Sequence, residues 1–370
     1  MEFTVSRADL VRELNLSQGV VEKKTTIPIL SNILVEADRD RITLTATDLE
    51  LGIRVSCPAR VKKSGAGTIP ARRLLDYVRL LPDSDVQLKT LENHWASIIS
   101  GRSRTRIAGM SRESFPELPT MPPVLAEMPI GVLGQMISKT IFAISTEESR
   151  FTLNGALMVL KKGAITMVAT DGHRLAMVES TDELPGVTNA YRALLPRKAM
   201  TELAKLASDA DPAAIVRFSG DENHLFFELG DRLLLSRKLT GNFPDFERVL
   251  PKEQPNIVTV NRDEFRGAIE RVAQFSDERS RAIRVTISSG EMKVHSSVSD
   301  TGESEESIPL TYDGPVVEIG FNAQYLLDFF KAAGTEEVSF LFKDAHSAGE
   351  MRPGGDKSEH YRYVIMPMRI

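Results

Sequence analysis

The sequence predicts an α+β protein built from three copies of one domain. Three observations support this prediction: similar segments recur at a constant spacing, prolines cluster between the copies, and each copy combines two helical patterns with several short alternating strands. The spacing is far above the roughly 20–50 residues of solenoid repeats. Each copy should therefore be a whole domain, with two helices packed on antiparallel sheets.

The repeats appear as pairs of similar segments. FPEL at Phe115 returns as FPDF at Phe243, 128 residues later. TATDLELGIRV, with Asp48, resembles VATDGHRLAMV, with Asp171, at a distance of 123 residues. TVSRADLVREL near the start resembles TVNRDEFRGAI from residue 259, at about twice that spacing. These distances predict three units of about 125 residues.

Proline clusters mark the boundaries between the units. Prolines punctuate the stretch 119–129 and recur over 251–255, where neither a helix nor a central strand can continue. We therefore predict domains at 1–123, 124–251 and 252–370.

Each unit has the same predicted order of elements. A short strand (EFTV, EMPI or IVTV) enters a first helix, and Ser6 with Asp9 and Asn261 with Glu264 have the spacing of helix caps. Alternating strands follow, such as RITLTATDLELGIRV in the first unit and HLFFEL and RLLLSRKL in the second. The second helices should open near Pro70, Pro196 and Phe321.

Composition excludes several classes of protein. A hydrophobic fraction of 42% and a charged fraction of 26% are typical of a globular chain, and no apolar run reaches the roughly 18 residues of a membrane span. The single cysteine, Cys57, excludes a disulfide framework and a cysteine-built metal site. We expect a cytoplasmic protein without metal or cofactor.

Catalytic signals are weak. The six histidines lack metal-pair spacing, and the chain has no G-x-S-x-G nucleophile motif. The competing interpretation is an enzyme in which Asp171, His173 and a distant serine form a hydrolase triad. A histidine in a turn, or one that contacts a peptide, is favoured. No catalytic residue is therefore assigned.

Basic residues are enriched on the predicted helices, although acids are present too. One such helix is best explained as a solvated face, but recurrence in three copies favours a shared surface that contacts phosphates without reading bases. The cations assigned to this surface are Arg73, Arg79, Lys139, Arg197, Lys198, Lys205, Arg266 and Arg271.

The chain ends in YVIMPMRI, which is apolar up to Ile370, whereas termini are usually polar. Met366, Pro367 and Met368 either finish a strand or line a shallow groove that accepts varied partners.

Together, the threefold repeat, the turn TDGHRLA, the phrase FPDFERVLP and the ending MPMRI resemble the bacterial sliding clamp family, the β subunit of DNA polymerase III. The resemblance covers the whole chain. It implies a non-enzymatic, head-to-tail dimeric ring of clamp-type domains around double-stranded DNA. Its implied partners are the polymerase III catalytic subunit, an ATP-driven clamp loader, and other replication and repair proteins that carry a Q-L-x-L-F-like motif.

The resemblance also implies site residues. Lys24 and Arg150 should contact DNA from loops, and Thr105 and Ile107 should face Gln274 and Phe275 across the dimer contact. A mobile loop is expected over 349–360. The partner-peptide groove should be lined by Leu153, Thr170, Gly172, His173, Arg174, Leu175, Pro244, Arg248, Val249, Tyr325, Val364, Met366, Pro367, Met368 and Arg369, with Arg174 at the polar end of the peptide. A repeat scaffold that never encircles DNA remains a third interpretation.

Overall fold

The structure is a computed structural model that describes residues 1–22, 26–181, 187, 189–298, 302–355 and 360–369. Every repeat has the same element order, with a short strand before the first helix and a second helix in the middle. The first repeat contains β1 Glu2–Ser6, α1 Arg7–Gln18, β2 Asn32–Asp38, β3 Arg41–Thr47, β4 Leu51–Pro58, β5 Arg60–Lys63, β6 Gly65–Pro70, α2 Ala71–Leu80, β7 Asp85–Thr90, β8 Trp95–Ser100 and β9 Ser103–Ala108.

Within the residues that the structure describes, the later repeats follow this order without a strand equivalent to β5. The second contains β10 Ala126–Pro129, α3 Ile130–Thr140, β11 Gly155–Lys161, β12 Ala164–Thr170, β13 Arg174–Ser180, β14 Tyr191–Pro196, α4 Arg197–Asp209, β15 Ile215–Gly220, β16 His224–Leu229 and β17 Arg232–Arg237. The third contains β18 Asn256–Asn261, α5 Arg262–Val272, β19 Ala282–Ser288, β20 Glu291–Val298, β21 Gly302–Pro309, β22 Val317–Asn322, α6 Ala323–Ala333, β23 Glu337–Phe342, β24 Gly349–Pro353 and β25 Tyr361–Ile365.

The helices begin where the capping residues predict. The Ser6 side chain accepts a hydrogen bond from the backbone N–H of Asp9, and Asn261 accepts from Asp263 and Glu264. These bonds satisfy N–H groups that have no partner inside a helix. The second helices begin at the predicted positions, directly after Pro70, Pro196 and Asn322.

The chain divides into two compact units, and the second repeat contributes residues to both of them. The first unit contains an eight-stranded antiparallel sheet with the order β10-β15-β16-β17-β4-β3-β2-β6, and a five-stranded sheet β5-β1-β7-β8-β9. In the eight-stranded sheet, β17 of the second repeat pairs with β4 of the first, from Arg232 opposite Val55 to Ser236 opposite Leu51. The two repeats thus share one continuous sheet.

The second unit repeats this arrangement one domain later. Its eight-stranded sheet has the order β14-β11-β12-β13-β25-β24-β23-β18, and its smaller sheet the order β21-β20-β19-β22. Here β25 of the third repeat pairs with β13 of the second, from Arg174 opposite Ile365 to Val178 opposite Tyr361. Both repeat junctions are therefore antiparallel strand pairs formed by equivalent strands.

A buried charge supports each junction sheet. In the first unit the Glu13 carboxylate is 1% exposed and accepts from Arg232 Nε at 3.1 Å and Nη2 at 2.9 Å. In the second unit the fully buried Glu350 accepts from Arg352 at 2.7 Å and from Arg362 at 2.6 Å. A charge removed from water is stable in the fold only with such partners.

The prediction of a mobile loop over 349–360 was wrong for residues 349–353. Gly349–Pro353 is strand β24, which pairs on both sides with β23 and β25, and Met351 is fully buried. Strand pairing on two sides and the burial of Met351 determine the structure of this part. Residues 356–359 lie outside the described part of the chain.

Candidate functional site

The turn before β13 is held by its own side chains. Thr170 Oγ1 donates to the carbonyl of Arg174 at 2.6 Å and accepts from the N–H of Gly172 at 3.1 Å. Asp171 Oδ1 accepts from the N–H groups of His173 at 2.9 Å and Arg174 at 3.1 Å. Gly172 has φ 90°, in the left-handed region that favours glycine. The turn therefore presents the exposed His173 on a rigid support.

Arg174 is committed to contacts inside the fold. Its side chain is 9% exposed, and its guanidinium donates to Asp171 at 3.0 Å, to Asp328 at 2.7 Å and to the carbonyl of Phe142 at 2.6 Å. It also lies 4.3 Å from the centroid of the Tyr325 ring. Burial opposes its charge, but Tyr363, Asp328 and Asp171 together raise the pKa of Arg174 above its ordinary value.

These contacts hold the Arg174 side chain against its own turn and against helix α6. The sequence-based expectation puts its guanidinium at the polar end of a bound peptide; these bonds use three of its five N–H groups, and that expectation stays a prediction. In the structure Arg174 ties the turn after Thr170 to helix α6 through Asp328. The two acids were not anticipated as its partners, because sequence spacing gives no signal for a contact between Arg174 and Asp328.

The C-terminal segment lies beyond the last strand. Strand β25 ends at Ile365, and the next residues are held by two backbone bonds: Met366 N–H to the carbonyl of His173 at 2.9 Å, and Met368 N–H to the carbonyl of Gly320 at 2.8 Å. Met366 is 47% exposed. Met368 also forms an isolated antiparallel bridge with Gly320, so both interpretations of Met366, Pro367 and Met368 stay open: the segment adds to strand pairing and presents Met366 to solvent.

An apolar floor lies beneath this segment and the turn. Its buried members are Leu157, Val159, Val168, Leu175, Leu194, Phe246 and Val364, with Phe243 and Leu250 packed against them. Around it, Pro244, Arg248 and Val249 are exposed and Leu153 is half-buried. Phe151, two residues before Leu153, is 71% exposed and was missed by the sequence analysis. An exposed phenylalanine is unusual, but a sequence alone does not show its exposure.

The first repeat contains the same turn with a different wall. Thr47 Oγ1 donates to the carbonyl of Leu51 at 2.9 Å, as Thr170 does to Arg174. At the position of Met366 stands Arg237, whose N–H donates to the carbonyl of Glu50 at 2.8 Å and whose guanidinium pairs with the Glu50 carboxylate at 3.1 Å. An ion pair at this turn therefore takes the place that Met366 has in the second unit.

Most of the cations expected to contact DNA are exposed, and several are paired with acids. The pairs are Arg150 with Glu147, Lys198 with Asp48, Lys205 with Glu202, Arg266 with Glu270, and Arg271 with Glu306. Arg73, Arg79 and Arg197 are exposed on their helices, and Lys139 is half-buried. Lys24 lies outside the described residues.

The residues expected at a dimer contact lie on or beside free strand edges. Thr105 and Ile107 belong to β9, the last strand of the five-stranded sheet, although the Ile107 side chain is 3% exposed and faces its own core. Gln274 is exposed. The Phe275 ring lies 3.5 Å from the position that a Cβ on Gly302 would take, next to β21, the edge of the four-stranded sheet.

Within the described residues, no cluster of three or more His, Cys, Asp or Glu side chains is arranged to hold a metal ion. No helix among them is long and apolar enough to span a membrane. The competing enzymatic interpretation required Asp171 as a partner of His173, but the Asp171 carboxylate accepts backbone N–H groups and the Arg174 side chain.

Comparison with known proteins gives consistent matches over the whole chain. Models of the N-terminal, central and C-terminal domains of the DNA polymerase III beta subunit match residues 1–119, 127–245 and 247–369. The beta sliding clamp of Pseudomonas aeruginosa is 34% identical over 373 residues, and that of Caulobacter vibrioides 35% over 378, with both chains covered fully.

Solved structures agree. The crystal structure of the DNA polymerase III subunit beta from Pseudomonas aeruginosa superposes with a TM-score of 0.94 at 34% identity, covering 100% of both chains. The crystal structure of the sliding clamp from Bacillus subtilis gives a TM-score of 0.94 at 26% identity, covering 100% of this chain and 99% of that one.

Proposed function

Because the chain belongs to the family of bacterial β sliding clamps, the DNA polymerase III beta subunits, we propose that two copies close head to tail into a ring that encircles double-stranded DNA and tethers the replicative polymerase. Contacts to phosphates carry no sequence information, so such a ring slides while it stays linked to DNA. The tether keeps the polymerase at a high effective concentration near its template.

The observation that carries the proposal is the pair of free strand edges. Inside the chain, equivalent strands form both junctions, β17 on β4 and β25 on β13. The order of strands within each repeat identifies the equivalent strands. In the first repeat β9 is equivalent to β17, and in the third repeat β21 is equivalent to β4. Both are sheet edges. A third junction of this kind requires a second copy, and a head-to-tail contact that closes gives a ring.

Strand register predicts which residues would meet there. The hairpin β8–β9 corresponds to β16–β17, and β20–β21 to β3–β4. Transferring the β17–β4 pairing places Arg104 opposite Glu305 and Arg106 opposite Glu303 of the second copy. The same register puts Ile107 opposite Gly302. The basic edge of one copy thus matches the acidic edge of the other.

The groove of the second unit is proposed as the site for a short linear motif of the Q-L-x-L-F kind on the polymerase, the clamp loader and other partners. Leucine and phenylalanine anchors would cover Leu175 and Val364, with Met366 and Val249 at the sides. Ring opening would need the loader's own ATPase. We assign the protein no catalytic role and place it in the cytoplasm.

Removing the residues after Ile365 is expected to abolish motif binding, because Met366–Arg369 forms one side of the groove. Fluorescence anisotropy of a labelled Q-L-x-L-F peptide should show saturable binding to the intact chain and at least a hundredfold weaker binding to the truncated chain. Deleting this segment leaves β25 complete, so circular dichroism should be unchanged. Equal binding by the two chains would contradict the placement of the groove.

A further inference from the structure

The basic residues on the helices are unequally neutralised. On α2, the Arg73 side chain is exposed and has no ion pair within the part of the chain that the structure describes. Arg79 donates to the amide oxygen of Asn15, a neutral partner that leaves its charge intact. Arg72 lies 3.7 Å from Asp76, a loose pair. Helix α2 therefore keeps a net positive face.

Helix α5 of the third repeat differs. Its arginines are each paired with an acid: Arg262 with Asp263 at 3.0 Å, Arg266 with Glu270 at 3.0 Å, and Arg271 with Glu306 at 2.7 Å. The Arg271–Glu306 pair has two bonds, at 2.7 and 3.0 Å, and Arg271 holds the pKa of Glu306 below its ordinary value. Nearby α6 adds one exposed lysine, Lys331.

The second repeat lies between these extremes. Lys198 on α4 pairs with the side chain of Asp48, which is 6% exposed, and Lys205 pairs at 2.7 Å with Glu202, which is 4% exposed. The charge of each lysine is thus neutralised by a carboxylate that is largely shielded from solvent.

A paired cation attracts DNA weakly. Affinity for a polyanion comes from the counterions released when unpaired cations meet phosphates. An arginine already bound to a carboxylate must break that pair, and the carboxylate then lies close to the phosphate and repels it.

We propose that the phosphate contacts of this clamp are uneven: the α2 face of the first repeat, through Arg73 and Arg79, is the main DNA-backbone contact, and the paired arginines of α5 contribute little. The proposal rests on the proposed function, in which the helices face DNA. The sequence analysis assigned DNA-contacting cations to all three repeats without ranking them. The proposal gives the dominant role to two cations of the first repeat.

The surroundings of α2 suit a sugar-phosphate backbone. A cleft of about 610 Å³ beside the helix is lined by Arg72, Arg73, Tyr77 and Leu80, and also by the acids Glu22 and Asp76. Leu80 is 86% exposed, directly beside Arg79. A backbone alternates anionic phosphates with less polar sugars, so two exposed arginines together with the exposed Leu80 match both.

The test compares two double variants of the full-length protein on a fluorescent 30-base-pair duplex at several salt concentrations. R73Q/R79Q should weaken binding at low salt at least tenfold and reduce the slope of log K against log[salt] by about 2, since each lost phosphate contact removes about 0.9. R266Q/E270Q removes an α5 pair with no change in net charge and should weaken binding less than twofold. Sedimentation should show both variants as dimers.

The outcomes separate the two claims. The uneven contact would be overturned if R73Q/R79Q bound the duplex within twofold of the wild-type affinity. It would also be overturned if R266Q/E270Q lost as much affinity as R73Q/R79Q. Wild-type protein that forms dimers but shows no salt-dependent binding to the duplex would overturn the phosphate contacts of the helices, whereas the ring itself is tested separately by retention on circular DNA.

Discussion

Reversing the charges on the basic edge, as in R104E/R106E, is expected to convert the dimer into monomers. Each variant edge would place two glutamates opposite Glu303 and Glu305 of the other copy, and like charges brought together at an interface cost several kcal/mol. A cost of about 3 kcal/mol or more at each of two contacts weakens dimerisation by well over a hundredfold. Sedimentation velocity at micromolar concentration should show a single species of 41.0 kDa.

The complementary variant provides the rescue. E303R/E305R should also be monomeric, because arginine would then face arginine. A one-to-one mixture should form heterodimers, since each contact in a head-to-tail ring then pairs a basic edge with an acidic one. The matched control is R192E, on the edge strand β14 of another sheet, which should remain dimeric. Mixed variants that stay monomeric would contradict the proposed register.

Removing the carboxylate of Glu350 is expected to give the largest loss of stability from a single substitution. E350L would leave Arg352 and Arg362 beside an apolar side chain in a fully buried position. Breaking a buried pair on one side costs about 3–5 kcal/mol, and the partial exposure of the two arginines favours the lower end. Urea unfolding followed by circular dichroism should show this loss, whereas E270Q at the exposed Arg266 pair should change stability by less than about 0.5 kcal/mol.

The contribution of Glu350 should depend on pH. Burial alone would raise its pKa, but hydrogen bonds from Arg362 and Arg352 outweigh burial and hold the pKa below the ordinary value of 4.5. A group whose pKa is lower in the folded state stabilises the fold fully above the unfolded value. The stability difference between wild type and E350Q should therefore be constant at neutral pH and shrink as the pH falls below about 4.5. A difference that grows on acidification would contradict this assignment.

The helix starts and the repeated turn could be predicted from the sequence for clear reasons, although strand β24 was missed. Helix starts depend on side chains such as Ser6 and Asn261, which bond within three residues, so adjacent letters carry the signal. The repeat of the aspartate turn at Asp48 and Asp171 was equally visible, and the structure builds both turns with the same bonds.

Strand pairing and side-chain contacts between distant parts of the chain could not be predicted from the sequence. Alternation predicts that β4 and β17 are strands but not that they pair across repeats, because strand partners far apart in the chain leave no local pattern. The same applies to the burial of Arg174, whose acceptor Asp328 stands 154 residues away. The pairing of helix arginines with acids, which decides how strongly each repeat attracts phosphate, became apparent only from the side-chain contacts.

Linkage to DNA tests the central claim most directly. The clamp is loaded onto nicked circular DNA with a clamp loader and ATP, and the DNA is separated from free protein by gel filtration in moderate salt. The ring account predicts that the protein stays with the circle and is lost once a restriction enzyme linearises it. Protein that dissociates equally from circular and linear DNA, or that remains on linear DNA with open ends, would show that it binds the surface of DNA without encircling it.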